Sequence, residues 1–326
     1  AAKALDHVVG ADRLTPSAEK LRRLMHYGQI LQSHALHFFH LSSPDLLFGF
    51  DSEAGRRNII GVAAAHPDVA RQGVLLRKFG QEVIRLTAGK RIHGTGAIPG
   101  GVNRALSRAE RDGLLADIYP IIGWSRQAVQ LVKRLHRSDP ALYDVFGNFP
   151  SNMLSLVGAD GALDFYDGRL RARDADGRVI VDGVHVKDYH ELIREEVKPW
   201  SYMKFPFLTA LGPRDGWYKV GPLARVQNCA SIPTPLAEAE RREFIEYGQG
   251  KPVHAPLAYH WARMIEMLHA AETIKDLLHD DDLSGSDLTT SGRRNREGVG
   301  VIEAPRGTLI HHYRVDDDDL VTMCNL

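Results

Sequence analysis

A short run near the C-terminal end carries side chains that could bind an anion. Residues 298–313 read GVGVIEAPRGTLIHHY, and the alternation of small and β-branched residues in its first half predicts a buried strand. Pro305 fixes φ and removes a backbone donor, and Gly307 permits a tight or positive-φ turn. Arg306 should therefore lie at a stiff corner between two strands, with five donors in a planar fork. Beside Glu303 it could bind an anionic ligand, or it could form a surface ion pair at a β-turn.

Three histidines recur every three residues, at His34, His37 and His40. At about 100° per helical residue, the first and last lie roughly 120° apart, so the three cannot all point at one metal ion. From the residues alone, His34 could equally be a buried, hydrogen-bonded histidine of the core.

Other polar motifs favour structural roles. The run 98–101 (IPGG) predicts a turn and lacks the spacing and lysine of a phosphate loop. Arg263 and Glu266 are three residues apart on a helix and are expected to pair. Cys229 has no neighbouring group that would activate a thiol. The aspartates 316–319 lack the glycine and distal glutamate of a calcium loop and predict a solvated turn.

The helices that must position these groups can be read from local signals. Thr15-Pro16 is typical of a helix start, and the apolar spacing that follows predicts an amphipathic helix to about Leu41. A second helix should run from Pro67 to about Thr87, where Gly73 and Gly80 on the apolar face predict a close approach to another helix.

Two further helical regions follow. Ser107 and Glu110 form a capping box at the start of a helix that Pro120 should break or kink. A strongly periodic apolar pattern predicts another helix over Leu257–Leu278.

The middle of the chain changes character. Short β-branched runs separated by Asp-Gly turns predict an antiparallel meander over 154–186. Residues 201–235, rich in proline, should be extended and partly irregular, and 280–296 should be an exposed loop. The fold class is therefore α+β and predominantly helical. We expect one domain, helical over 1–150, a β meander over 151–190, and helical with C-terminal strands over 191–326.

Composition excludes several classes of function. Lys plus Arg and Asp plus Glu both total 41, so no net positive field exists to attract nucleic acid or anionic lipid. No apolar run approaches the roughly 20 residues that span a bilayer. Only two cysteines are present, Cys229 and Cys324, which is unlike a disulfide framework and fits a reducing compartment.

Several motifs together resemble the large, catalytic subunit of nickel–iron hydrogenases, most closely the cytoplasmic, multi-subunit, NAD-reducing-like branch. The similar segments occur in the family's order and span the chain: Ala1–Asp6, Gln32–Phe39, Ile98–Asn103, Trp200–Pro206, Tyr259–Arg263 and Gly298–Tyr313. The resemblance implies the family fold, a core of long helices with a small antiparallel β meander.

The resemblance also implies a nickel–iron centre held by four cysteines in two Cys-x-x-Cys pairs, its iron carrying carbon monoxide and cyanide. Neither Cys229 nor Cys324 lies in such a pair. We therefore expect an internal fragment, truncated at both ends, that binds no metal and is inactive by itself.

In the family, dihydrogen is cleaved heterolytically and reversibly. The resemblance implies that Arg306 is catalytic, that Ala304 and Pro305 shape the pocket, and that His34 orients a metal-binding thiolate. Electrons would pass through an iron–sulfur small subunit to NAD(P) or a similar acceptor, by way of diaphorase-type or other electron-transfer subunits. We expect a cytoplasmic oxidoreductase without membrane spans or nucleic-acid partners. The alternative is a cluster-free scaffold or quinone-site relative in a respiratory complex.

Overall fold

Helices make up about half of the chain in the computed structural model, which describes residues 1–326. A π-helix covers Leu36–Ser42, and 3₁₀ turns cover Val186–Asp188 and Asp281–Ser284. The α-helices are α1 (Ala2–Val8), α2 (Pro16–Ala35), α3 (Ser43–Phe48), α4 (Ile59–Ala65), α5 (Pro67–Ala88), α6 (Arg108–Ser138), α7 (Pro140–Tyr143), α8 (Tyr189–Leu192), α9 (Gly212–Asp215), α10 (Pro222–Asn228), α11 (Pro235–Tyr247) and α12 (Ala258–Leu278).

The strands form four small sheets with the orders β1-β2, β5-β4-β3-β8, β6-β7 and β11-β10-β9. They are β1 (Ala97–Ile98), β2 (Gly101–Val102), β3 (Asn152–Val157), β4 (Arg169–Arg173), β5 (Val179–Val184), β6 (Ile193–Val197), β7 (Lys204–Leu208), β8 (Tyr218–Lys219), β9 (Glu297–Ala304), β10 (Gly307–Val315) and β11 (Val321–Asn325). The predicted α+β class is confirmed.

The first long helix begins as predicted but changes form before its end. Thr15 caps α2, its side chain accepting a hydrogen bond from the amide of Ala18 at 3.2 Å. From Leu36 to Ser42 the chain continues as a π-helix, so the predicted helix does extend to Leu41, but its last residues are not α-helical. Single π-turns inside α-helices are often found at functional sites.

The close approach predicted for the second helix is confirmed between α2 and α5. A Cβ placed on Gly80 would lie 2.7 Å from Cβ of Gln32 and 2.8 Å from the carbonyl oxygen of Gly28. Backbone atoms of the two helices therefore pack where only a hydrogen atom fits.

The capping box of Ser107 and Glu110 is present, but Pro120 does not break the helix. α6 runs through the proline to Ser138. Pro120 and Ala116 both lie on the exposed face. Solvent can therefore satisfy the carbonyl that the missing N–H leaves free.

The meander is confirmed as the antiparallel strands β3, β4 and β5, with the short β8 parallel to β3. The extended, irregular chain predicted for 201–235 is only partly present. It contains β7 and β8, but also the seven-residue helix α10, in which Pro222 occupies the first turn.

The C-terminal strands form the predicted hairpin, β9 pairing with β10 from Gly307↔Ala304 to Arg314↔Glu297. The predicted solvated turn at 316–319 then leads into β11, which pairs with β10.

The core lies among the long helices. α2 packs against α5 and α12, and α12 packs against α6. One cluster of 47 buried residues draws mostly on these four helices, with Trp261 of α12 fully buried within it. None of the helices is long and apolar enough to cross a membrane.

Candidate functional site

The corner between β9 and β10 consists of Pro305 and Arg306. Neither residue has a positive φ, although the twist of a two-residue hairpin favours turns with positive φ. Gly307 does not have a positive φ either, so the positive-φ turn that a glycine would permit is not formed here. It has no room for a side chain, because a Cβ there would lie 2.5 Å from Cγ2 of Val220.

Arg306 is exposed and makes neither an ion pair nor a side-chain hydrogen bond. Its charge acts on Arg263 and on His37 of the π-helix. Burial, then Arg263, then Arg306 lower the pKa of His37 to about 4. The corner therefore presents a guanidinium with free donors, surrounded by cationic and neutral groups, which is suited to receive an anionic ligand.

Glu303 does not pair with Arg306, which excludes the surface ion pair. Its side chain is fully buried, and Oε2 accepts from Nη1 of Arg225 at 2.9 Å. Its Oε1 accepts from the amide of Leu156 at 2.7 Å and from the hydroxyl of Thr308 at 2.8 Å. The carboxylate thus ties β9 to β3 and to α10.

Arg225 of α10, also fully buried, uses all five of its N–H donors. Nε and Nη2 donate to the two carboxylate oxygens of Glu266, at 2.6 and 2.7 Å. Nη1 donates to Glu303 and, at 2.8 Å, to the carbonyl of Ala304. Nη2 also donates to the carbonyl of Pro305 at 3.3 Å. One side chain therefore joins α12, β9 and the corner.

The expected pair of Arg263 and Glu266 is not formed, because Glu266 faces Arg225. Arg263 donates instead to the carbonyl of Pro305 and to Nδ1 of His34, at 3.3 and 3.4 Å. Nε2 of His34 lies 2.9 Å from Oε2 of Glu266. Because a carboxylate only accepts, Nε2 must carry the proton and Nδ1 must accept from Arg263.

The buried charges of this group balance. Burial opposes ionisation of Glu266, but Arg225 outweighs it and lowers the pKa to about 2. Burial raises the pKa of Glu303, and its contact with Arg225 opposes that shift. Burial lowers the pKa of Arg263 to about 10, which still leaves it protonated at neutral pH. Burial also lowers the pKa of His34 to about 3, so it is neutral. Both oxygens of Glu303 accept hydrogen bonds from N–H or O–H donors, as a carboxylate does, so the contacts place two cations and two carboxylates around a neutral imidazole.

The other two histidines of the spaced trio point elsewhere. The ring of His37 lies 5.4 Å from that of His260, centroid to centroid. His40 lies near Arg77 of α5. His34 alone joins the buried group behind the corner.

The described residues provide no ligand set for a nickel–iron centre. No group of three or more histidine, cysteine, aspartate or glutamate side chains is arranged to hold a metal ion. Cys229 is buried behind α10, where burial raises the pKa of its thiol to about 11, whereas Cys324 is exposed on β11. Two separate thiols, one of them held protonated, do not match the four thiolates that such a centre requires.

The turn at Pro99 and Gly100 is structural, as predicted. The amide of Gly100 donates to Oδ1 of Asp6 at 2.7 Å, and buried Arg22 donates to the carbonyl of Gly101 and to Asp6. A cleft of about 600 Å³ lies nearby, between α2, α5 and β10, and the Ala304–Arg306 corner does not line it.

Of the residues singled out from the sequence, the structure brings Ala304, Pro305 and His34 together around the buried group, with Arg306 at its outer edge. Arg225 was missed because 201–235 was expected to be irregular. The signal that could have revealed it is Gly221-Pro222, which starts a helix whose arginine lies among apolar residues.

No family model matches this chain. Individual proteins, however, are similar to it over its whole length. The chain is 45% identical over 340 residues to the NAD-reducing hydrogenase HoxS subunit beta of Cupriavidus necator, covering 100% of this chain and 69% of that protein. It is 41% identical over 325 residues to one chain of the F420-non-reducing hydrogenase vhu of Methanocaldococcus jannaschii, covering 99% and 77%. The crystal structure of an NAD⁺-reducing NiFe hydrogenase in the H2-reduced state shares 55% identity and a TM-score of 0.97, covering 99% of this chain and 72% of that one.

Proposed function

Since this chain belongs to the family of nickel–iron hydrogenase large subunits, we propose that its Arg306 corner takes part in the heterolytic cleavage of dihydrogen. The family resemblance inferred from the sequence motifs is confirmed. The chain is therefore assigned to the catalytic subunit of a hydrogenase, which is an oxidoreductase. The relatives described above are hydrogenases, which favours this function over the cluster-free scaffold or quinone-site alternative.

The observation that carries the proposal is the free guanidinium of Arg306. It is exposed, has no carboxylate partner, and directly follows the carbonyls of Ala304 and Pro305, which are held by Arg225 and Arg263. A preorganised donor of this kind stabilises negative charge as it develops, because no reorganisation is needed during the reaction. Ala304 and Pro305 shape the wall beside it, and His34 orients groups behind that wall.

The electron acceptor and the partners are proposed by similarity to the relatives. We propose NAD or a similar acceptor, because the Cupriavidus relative and the solved structure are both NAD-reducing. We propose two kinds of partner for this chain: diaphorase-type electron-transfer subunits, together with an iron–sulfur small subunit. A cytoplasmic location is proposed on the same similarity.

We also propose that residues 1–326 form a single domain. Its support is the buried cluster of 47 side chains, whose members come from positions between Ala18 and Leu283.

The test of the function is Arg306→Lys in the complete enzyme with its partner subunits. Lysine keeps the charge but loses the planar fork. Nickel and iron content should stay near that of the parent, while hydrogen turnover should fall by a hundred- to thousand-fold, from the loss of roughly 3–4 kcal/mol of transition-state stabilisation.

Arg314→Lys is the matched control, because Arg314 is exposed on the same hairpin but pairs with Glu297. Its turnover should equal that of the parent. If Arg306→Lys retained turnover within about threefold of the parent, the loss of rate would be far smaller than that caused by removing one preorganised donor. Arg306 would then have only a structural role at the corner.

A further inference from the structure

We propose that Arg225 and Glu266 are positioning residues that fix the direction of Arg306. The proposal rests on the proposed function for its consequence in catalysis, but its structural part concerns the backbone of the corner alone. Neither residue lies at the exposed surface from which Arg306 projects, since both are fully buried. They would act through the carbonyls of Ala304 and Pro305.

The corner needs support from outside the hairpin. Its two residues have no positive φ, so the turn is not one of the types that match the twist of paired strands. Proline supplies no amide hydrogen for a local bond. The carbonyls of Ala304 and Pro305 are instead bound by Nη1 and Nη2 of Arg225, which come from a different part of the chain.

Glu266 fixes the plane of that guanidinium. It binds Nε and Nη2 in a bidentate manner, so the remaining N–H groups of Arg225 can point only at Glu303 and the corner. A lysine at position 225 has only three N–H donors, all on one nitrogen, and cannot satisfy all five acceptors. The geometry of a planar fork is therefore what the site uses.

Stability alone does not account for this group. Buried ion pairs cost desolvation, and their replacement by apolar residues is often neutral or stabilising. The four charges behind the corner therefore have a different benefit, which we infer to be one fixed conformation of residues 304–307. Arg263 reinforces it by donating to the carbonyl of Pro305 from the other side.

The experiment compares three variants in the assembled enzyme. Arg225→Lys keeps the charge and loses the fork. Arg225→Met combined with Glu266→Gln removes one charge of each sign, and the new side-chain amide can still accept from His34. Buried Glu303 loses its cation in this variant, so the melting temperature should fall, and circular dichroism checks that the chain is still folded. Arg22→Lys is the matched control, since Arg22 is a buried arginine that pairs with a carboxylate and holds a different turn.

Amide hydrogen exchange at Ala304 and Gly307, measured by mass spectrometry, is the readout that does not depend on activity. Both Arg225 variants should speed this exchange about tenfold or more, as expected when the corner opens locally after losing its hydrogen bonds. Arg22→Lys should leave it unchanged. Hydrogen turnover should fall in the Arg225 variants, with kcat reduced and nickel and iron content preserved.

The outcomes separate the two proposals. Unchanged exchange at the corner in a folded Arg225 variant would overturn the positioning role, whatever the turnover. Faster exchange with unchanged turnover would overturn its catalytic consequence. If Arg306→Lys were silent as well, the function proposed for the corner would fail, while the positioning of its backbone would still be measured by the exchange.

Discussion

Two deeply buried histidines, His34 and His269, are held in the neutral form by their surroundings. Burial lowers the pKa of His34 from 6.5 to about 3 and that of His269 to about 4. In the unfolded chain these imidazoles regain their ordinary pKa and bind protons at higher pH than in the folded protein. Their contribution to stability is therefore complete above pH 6.5 and is lost as the pH falls toward the folded values.

His269→Leu should flatten the loss of stability on acidification. Between pH 7.5 and 5.0, the parent should lose roughly 1–2 kcal/mol through this one histidine, at 1.36 kcal/mol per pKa unit, and the variant should not. Urea unfolding at the two pH values measures the difference. His279→Gln, at an exposed position after α12, is the control. A variant with the same pH slope as the parent would show that His269 is not held neutral by the fold.

Sequence patterns could predict where the important side chains lie, but not which groups they meet. The corner at Pro305 and Arg306 follows from local residue types. The partner of Glu303 does not, because Arg225 is 78 residues away in the chain. The rule for residues three apart on a helix predicted a pair of Arg263 and Glu266, and the long-range contact with Arg225 replaced it.

At the scale of elements, local signals were sufficient where a helix has its own caps and a clear apolar face. α5, α12 and the start of α6 lie where they were predicted. The effect of Pro120 on α6 was misjudged, because the destabilisation caused by a proline within a helix depends on whether solvent can reach the carbonyl that loses its hydrogen bond. α10 was missed because its seven residues are too few for a periodic pattern, and its contacts with β3 and α12 come from distant parts of the chain.

Gly80→Ala and Gly113→Ala should have opposite effects on stability. At Gly80 a methyl group would meet backbone atoms of α2, which no rotamer change can relieve, and we expect a loss of about 1–3 kcal/mol. At Gly113 of α6 no atom lies within 4 Å, and alanine should add up to about 1 kcal/mol through helix propensity. Urea unfolding of both variants checks this. A neutral Gly80→Ala would mean that α2 and α5 can move apart freely.

At the scale of the whole molecule, apolar surface is exposed in several places. Large side chains more than half exposed include Ile60, Val145, Phe146, Phe149, Val197, Trp200, Tyr202 and Met203. The formal net charge is zero, so charge repulsion does not oppose association. A surface of this kind is typical of one member of a permanent complex.

The chain should accordingly depend on its partner for solubility. Expressed alone it should elute early and broadly from size exclusion, and co-expression with the proposed iron–sulfur subunit should give one complex that buries more than about 2,000 Å². Size-exclusion chromatography with light scattering measures both. A monodisperse large subunit that oxidises hydrogen without any partner would contradict this prediction.

The π-helix at Leu36–Ser42 has a consequence for how such chains diverge. A π-turn contains about one residue more than an α-turn, so deleting one residue there would restore a regular α-helix while the residues after it keep their faces. Side chains within the π-turn, His37 among them, would change direction, while the backbone would gain more regular hydrogen bonding. In related chains, inserting or deleting a single residue in this turn can therefore change the direction of this histidine without any substitution at the histidine itself. An alignment of homologues without a gap at this point would pair residues whose side chains point about 100° apart around the helix.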